Sequence, residues 1–138
     1  MKIAVMPNFG KLHALRTALE CCDILNSLGI GVLAENRFKN EFEDKRFVTL
    51  GTAEEIAAEC DIIIAIGGDG TILTASVQAS ANNKPLLGIN TGRLGFMASM
   101  ERDELESLAK LKTGDYCTED RMMLDASLVR NGKTVSSH

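Results

Sequence analysis

The feature that most constrains the fold is a short apolar run that ends in a glycine-rich turn. Ile62–Ile66 is unbroken and almost entirely isoleucine, and it is followed by Gly-Gly-Asp-Gly at 67–70. A short run of β-branched residues with no polar alternation predicts a strand buried on both faces, as in a parallel sheet covered by helices. Residues Thr71–Ala81 predict a helix directly after the turn. We therefore expect an α/β protein with a parallel sheet and helices on both of its faces.

The strand, the turn and the helix together predict a phosphate-binding site. The first N–H groups of a helix have no partner inside it, and the positive end of its dipole points the same way. Gly67, Gly68 and Gly70 carry no Cβ, so the backbone can come close to an anion. Asp69 is unexpected there, because a carboxylate repels phosphate. It suits a base for an attacking hydroxyl or a ligand for Mg²⁺, and the alternative is a helix N-cap.

A second loop is expected at the same edge of the sheet. Leu86–Ile89 predicts another buried strand, and residues 90–97 follow it. The carboxyl ends of parallel strands lie together, which is where such folds bind ligands. Asn90 can donate and accept hydrogen bonds, Arg93 can pair with phosphate, and Phe96 can cover a base or a ribose. The alternative is that Phe96 packs into the core.

Hydrophobic spacing predicts the remaining elements. One face of a helix is indicated by apolar residues at three- and four-residue steps, namely Leu12, Leu15, Leu19, Cys22, Leu25 and Leu28. The charged segment from Glu35 to Leu50 predicts a surface loop, and Thr52 with Glu55 forms a capping-box pattern. Asn131-Gly132 predicts the turn of a β-hairpin. Further strands are expected at Lys2–Met6 and Ile30–Ala34, and a further helix at Glu101–Leu111.

Charge and composition exclude several classes of partner. The formal net charge is −4 and the pI is near 5.2, with no basic cluster, so we expect no binding to nucleic acid or to an anionic membrane. No apolar stretch approaches membrane-spanning length. The four cysteines form no Cys-x-x-Cys pair, which predicts reduced thiols, no metal centre built from them, and a cytoplasmic location.

Two motifs carry a resemblance to known families. Gly67-Gly-Asp-Gly-Thr71 resembles a motif shared by 6-phosphofructokinases, diacylglycerol and sphingoid lipid kinases, and NAD kinases. The stretch Gly88–Met97, together with Tyr116 and Glu119–Leu124, closely resembles NAD kinases in particular. The Gly-Thr-Gly-Asn-Asp pattern of the lipid kinases is not found in this chain. The alternatives are a lipid or sugar kinase of the same superfamily, or a nucleotide-binding module without catalysis.

The resemblance implies a reaction and a role for each matching residue. An NAD kinase transfers the γ-phosphoryl of ATP, or of polyphosphate in some members, to the 2′-hydroxyl of the adenosine ribose of NAD, using Mg²⁺ or another divalent cation. Asp69 would accept the proton and hydrogen-bond NAD, with Gly70 beside it. Phe96 would line the adenine-ribose pocket, with Leu73 packed under it. The turn from Gly67 to Thr71 would lie near the phosphates.

The resemblance also implies how the chain is organised. Residues 1–120 would be a Rossmann-like nucleotide-binding domain, and residues 121–138 the first hairpin of a β-rich second domain whose remainder is missing. The isolated chain is then expected to be inactive or weakly active, and the full-length protein to be a homo-oligomer. Thr74 occupies a position at which many members of the family carry a basic residue, so one contact to a phosphate would be absent.

Overall fold

The structure is a computed structural model that describes residues 1–92, 95–124, 126–131 and 133–137. A six-stranded parallel sheet forms its centre. The order in the sheet is β3-β2-β1-β4-β5-β6, and every neighbouring pair is parallel. This is the doubly wound order in which ligands bind at the carboxyl ends of the central strands, and it confirms the predicted class. The strands are β1 (Lys2–Pro7), β2 (Gly31–Glu35), β3 (Val48–Gly51), β4 (Ile62–Gly67), β5 (Leu86–Asn90) and β6 (Met100–Glu101).

Helices cover both faces of the sheet, as expected. The α-helices are α1 (Ala14–Ser27), α2 (Ala53–Glu59), α3 (Asp69–Ala81) and α4 (Ala109–Thr113), and 3₁₀ turns span Asn36–Phe38 and Arg102–Leu108. Ile64 belongs to a core cluster that contains residues of α1 and of the second 3₁₀ turn, whereas Ile63 belongs to a cluster that contains residues of α2 and α3. Alternate residues of β4 thus face opposite layers, and the strand is buried along its whole length.

The predicted face of the first helix is partly wrong. Helix α1 begins at Ala14, so Leu12 precedes it and is 76% exposed. The residues that α1 buries are mostly small, and they are Ala14, Thr17, Ala18, Cys21, Cys22 and Leu25. Small side chains let the helix backbone approach the sheet closely. Burial raises the pKa of the Cys22 thiol to about 12, so this thiol stays protonated at neutral pH.

Other differences lie in segments where the hydrophobic pattern is weak. The segment expected to be a surface loop buries Phe42 and contributes strand β3, and β6 was not expected either. The helix expected over Glu101–Leu111 is a 3₁₀ turn followed by α4. The capping box of Thr52 and Glu55 is confirmed.

The C-terminal hairpin is confirmed as well. Strands β7 (Ser127–Arg130) and β8 (Lys133–Ser137) pair in an antiparallel arrangement as a separate two-stranded sheet. Asn131 adopts a left-handed conformation with φ of 52° at the turn, and Gly132 lies outside the described residues. No helix in the described ranges is long and apolar enough to cross a membrane.

Candidate functional site

The turn after β4 brings the start of α3 to the edge of the sheet. Helix α3 begins at Asp69, two residues earlier than predicted, and Gly68 is its N-cap with an extended backbone. No side chain caps this helix end. The alternative role of Asp69 as an N-cap is therefore wrong, because the residue already lies in the first helical turn and its carboxylate makes other contacts.

The Asp69 carboxylate joins the two loops that were expected to meet. Its Oδ2 accepts a hydrogen bond from the backbone N–H of Phe96 at 3.1 Å, and its Oδ1 accepts one from the N–H of Met97 at 3.2 Å. Asp69 itself is half-buried. The convergence predicted from the parallel topology is thus present, and a carboxylate stands at its centre.

The glycines of the turn fall into two kinds. A Cβ on Gly67 would lie 2.3 Å from Oγ1 of Thr71, whereas a Cβ on Gly68 or on Gly70 would meet no described atom within 4 Å apart from the adjacent residues and the backbone of α3. None of the three has a positive φ. Packing therefore requires a glycine at 67, while the two positions at the start of the helix border open space.

Asn90 and Thr91 hold the base of the second loop. Asn90 is 1% exposed; its Nδ2 donates to both carboxylate oxygens of Glu101 at 3.1 Å, and its Oδ1 accepts from the N–H of Gly92 at 3.2 Å. The N–H of Thr91 donates to the carbonyl oxygen of Gly67 at 3.0 Å. These contacts place Asn90 in a structural role, and its contact with a nucleotide stays a prediction.

The hydroxyl of Thr91 is a feature that the sequence did not reveal. Thr91 is 3% exposed, and its Oγ1 has no hydrogen-bond partner among the described residues. An unpaired buried hydroxyl is uncommon in folded proteins. A threonine in a glycine-rich loop gives no sequence signal for this, since its burial depends on how the loop packs against β4.

The apolar residues expected at the site are exposed. Phe96 is 98% exposed, so the alternative in which it packs into the core is wrong. Leu73 is 54% exposed and lies one helical turn after Asp69, on the same face of α3. Arg93, expected to pair with phosphate, lies outside the described residues.

A third loop completes this edge of the sheet. Asn8 directly follows β1, and its Nδ2 donates to Oγ1 of Thr71 at 3.3 Å. The Thr74 hydroxyl donates to the carbonyl oxygen of Gly70 at 2.9 Å, within the first turns of α3. Thr71 is thus placed between the turns that follow β1 and β4.

The side chains of the described residues build no metal centre by themselves. Across the described ranges, no group of three or more His, Cys, Asp or Glu residues is arranged to hold an ion. Chemically, this edge of the sheet offers the Asp69 carboxylate, the N-terminus of α3 and exposed apolar side chains.

Comparison with known proteins shows the family. A family model described as the ATP-NAD kinase N-terminal domain matches residues 3–116. The NAD kinase of Desulforamulus reducens is 39% identical over 113 residues, which are 77% of this chain and 39% of that protein. The NAD kinase of Geobacter sp. strain M21 is 33% identical over 141 residues, covering 99% of this chain and 48% of the relative.

A solved structure supports the fold. The crystal structure of yeast NADH kinase complexed with NADH superposes with a TM-score of 0.69 at 17% identity, over 82% of this chain and 38% of that one. The chain spans less than half the length of the curated relatives described above. On the strength of the family match, the chain belongs to the NAD kinase family, with its matched residues corresponding to the N-terminal domain.

Proposed function

We propose that this chain supplies the nucleotide-binding domain of an NAD kinase. The full protein would transfer the γ-phosphoryl of ATP, or of polyphosphate, to the 2′-hydroxyl of the adenosine ribose of NAD, giving NADP. The observation that carries the proposal is the half-buried Asp69 carboxylate, which lies in the first turn of α3 and contacts the loop after β5. Membership of the NAD kinase family supports the same activity.

Asp69 is proposed as the proton acceptor. Each of its carboxylate oxygens accepts one backbone N–H, which leaves acceptor capacity on both oxygens for a substrate hydroxyl. The 2′-hydroxyl proton would pass to the carboxylate as the hydroxyl oxygen bonds to the γ-phosphorus. The bond from that phosphorus to the bridging oxygen would break, and ADP would leave. Positioning of the two reactants supplies much of the rate in such a reaction.

The start of α3 is proposed to lie near the phosphates. The first N–H groups of a helix have no partner inside it, and the helix dipole favours negative charge at this end. Gly68 and Gly70 leave this end open, because a Cβ at either position would point into space that the described chain does not fill. Gly67 and Thr71 would fix the conformation of the turn, since they pack against each other.

The exposed apolar side chains are proposed to receive the adenosine. The backbone of Phe96 is held by Asp69, whereas its ring is almost fully exposed. An aromatic ring presented in this way can stack on a base or cover a ribose. Leu73 would contribute to the floor of the same pocket. Asn90 and Arg93 are proposed as further contacts to the nucleotide.

Mg²⁺ or another divalent cation is proposed to enter with the phosphoryl donor. Mg²⁺ in kinases is usually bound by one or two carboxylates together with substrate phosphates and water. We assign no protein ligand to the ion, because the Asp69 carboxylate is proposed as the base and the described residues hold no cluster of His, Cys, Asp or Glu suited to a metal. When bound, the ion would neutralise charge on the phosphates.

The proposal extends to the organisation of the full protein. Residues 1–120 would form the nucleotide-binding domain, and residues 121–138 would begin a second, β-rich domain. Met122, Leu124 and Leu128 are all strongly exposed, as expected for side chains that a further domain covers. The full-length protein is proposed to be a homo-oligomer.

The test is NADP formation from NAD, ATP and Mg²⁺ in a cycling assay, using the longest natural form of the protein that contains these residues. Asp69→Asn should lower turnover at least about 100-fold, because general-base catalysis contributes on that order. Asp115→Asn is the matched control, since Asp115 is an exposed carboxylate beyond α4. Wild-type turnover in a folded Asp69→Asn variant would refute the proposed base.

A further inference from the structure

We propose that Gly95 is a positioning residue, whose missing side chain allows the Asp69 carboxylate to bind the N–H groups of Phe96 and Met97. The inference deepens the proposed function, and for its catalytic consequence it rests on that function. Gly95 stands immediately before the two N–H donors.

The space between Gly95 and the Asp69 carboxylate is too small for a side chain. A Cβ built on Gly95 would lie 2.2 Å from Oδ1 of Asp69, 2.9 Å from Cγ and 3.1 Å from Oδ2. Cβ atoms essentially never approach another heavy atom as closely as the first two distances. An alanine at 95 would therefore push the carboxylate and the loop apart, and the two hydrogen bonds would lengthen.

Backbone conformation does not explain the glycine. Gly95 has no positive φ, so its backbone is accessible to alanine. Gly92 in the same loop provides the contrast, since a Cβ there would meet no atom of a described, non-adjacent residue within 4 Å. What distinguishes Gly95 is its contact with the Asp69 side chain.

The contact links the two groups that the proposed reaction requires. Asp69 is the proposed base, and the Phe96 backbone carries the ring proposed to line the adenosine pocket. Because one carboxylate binds the N–H groups of both Phe96 and Met97, the base and the backbone that carries the ring are held in one relative arrangement. Gly95 acts through Asp69 and need not touch the substrate itself.

The first test measures amide exchange by NMR in the 138-residue chain. Gly95→Ala should speed exchange at Phe96 and Met97 at least about tenfold, the loss expected for a hydrogen bond to a charged group. Gly92→Ala is the matched control and should leave both amides unchanged. Unchanged protection in Gly95→Ala would overturn the inference. This readout does not depend on whether the chain forms NADP.

A double-mutant cycle then tests whether Gly95 acts through Asp69. Gly95→Ala should raise the unfolding equilibrium constant about tenfold in the presence of the Asp69 side chain, because it overpacks the contact. In an Asp69→Ala background the same change should have less than about a twofold effect, since the crowded atoms are gone. Equal effects in the two backgrounds would show that Gly95 has only a general structural role.

The last readout connects the contact with the reaction. In the longest natural form of the protein, Gly95→Ala should lower turnover about 100-fold, as expected for a catalytic group displaced by about 1 Å. Asp115→Asn, the exposed control beyond α4, should retain turnover. Loosened amides with normal turnover would overturn the link to catalysis. Failure of the proposed function is separate, because it would appear as normal NADP formation by Asp69→Asn.

Discussion

The two ends of the turn after β4 differ in what surrounds their glycines. At the strand end, a Cβ on Gly67 would collide with the side chain of Thr71. At the helix start, Gly68 and Gly70 have no neighbour within 4 Å of such an atom. The same residue type therefore serves two purposes within four positions. The protein fills the space beside the first glycine and leaves the space beside the other two open.

We expect this difference to separate positions that affect stability from positions that affect ligand binding. Where the chain's own atoms occupy the space, a larger side chain forces a rearrangement in the folded state, and the cost appears as lost stability. Where the space is open, the folded chain tolerates a side chain, and any cost appears only when something else must approach. The two effects can be measured separately.

The largest effect is expected at the crowded end. Gly67→Ala should lower the free energy of unfolding by about 1–3 kcal/mol, the usual cost of overpacking. The reason is that β4 is buried on both faces and the clash involves both Oγ1 and Cβ of Thr71, which a rotation of the side chain cannot remove. Urea unfolding followed by circular dichroism measures the change.

Gly68→Ala is the matched control for this prediction. Gly68 has φ of −112° and ψ of −173°, an extended conformation that alanine adopts readily. The control should unfold within about 0.5 kcal/mol of wild type. If Gly67→Ala were equally neutral, the distinction between the two ends of the turn would be wrong.

Much of the fold could be predicted because it depends on local pattern. The isoleucine run of β4 and the capping box of α2 each carry a strong signal over a few residues, and both are confirmed. Strand β3 was missed because an edge strand has partial burial and no regular alternation. Strand β6 is only two residues long, and its place depends on pairing with β5.

The site was predictable only to the level of which loops meet. Parallel topology brings the turns after β4 and β5 to one edge, and the contact between Asp69 and the Phe96 backbone confirms it. The roles of Gly95 and Thr91 could not be foreseen. Both depend on distances between atoms of residues far apart in sequence, such as Asp69 and Gly95, and no spacing rule reports such distances.

At the start of α3 we expect a smaller effect, which appears in ligand affinity and not in stability. Gly70→Ala should leave stability unchanged or raise it by up to about 1 kcal/mol, because alanine is a better helix former and the position lies in the first turn of α3. Affinity for NAD or ATP should fall at least about tenfold, which is about 1.4 kcal/mol. Urea unfolding and isothermal titration calorimetry on the same preparation check both statements.

The informative result is the combination of the two measurements. Lower stability with normal affinity would reverse the assignment of the two ends. Normal stability together with normal affinity would show that the open space at the start of α3 is not used by a nucleotide. Asp115→Asn, an exposed position beyond α4, should change neither quantity and serves as the control.

The smallest effect is expected at Thr91. Like the open glycines, it presents an unfilled interaction, here a buried hydroxyl. Its buried hydroxyl has no partner among the described residues, and leaving such a group unpaired costs free energy. Thr91→Val keeps the branched shape and removes the hydroxyl, so the unliganded chain should be as stable as wild type or more stable by up to about 1 kcal/mol.

Repeating the measurement with saturating nucleotide shows whether the hydroxyl gains a partner on binding. If it does, nucleotide should stabilise Thr91→Val less than it stabilises wild type. The reason is that a ligand which binds only the folded state raises the free energy of unfolding with the logarithm of the ratio of its concentration to its Kd. Thr74→Val is the control, because the Thr74 hydroxyl already donates to the carbonyl oxygen of Gly70. This variant should be slightly less stable than wild type, both with and without ligand. A clear loss of stability in unliganded Thr91→Val would mean that the hydroxyl already has a partner. Thr91 would then resemble Gly67, whose surroundings are occupied by the protein's own atoms.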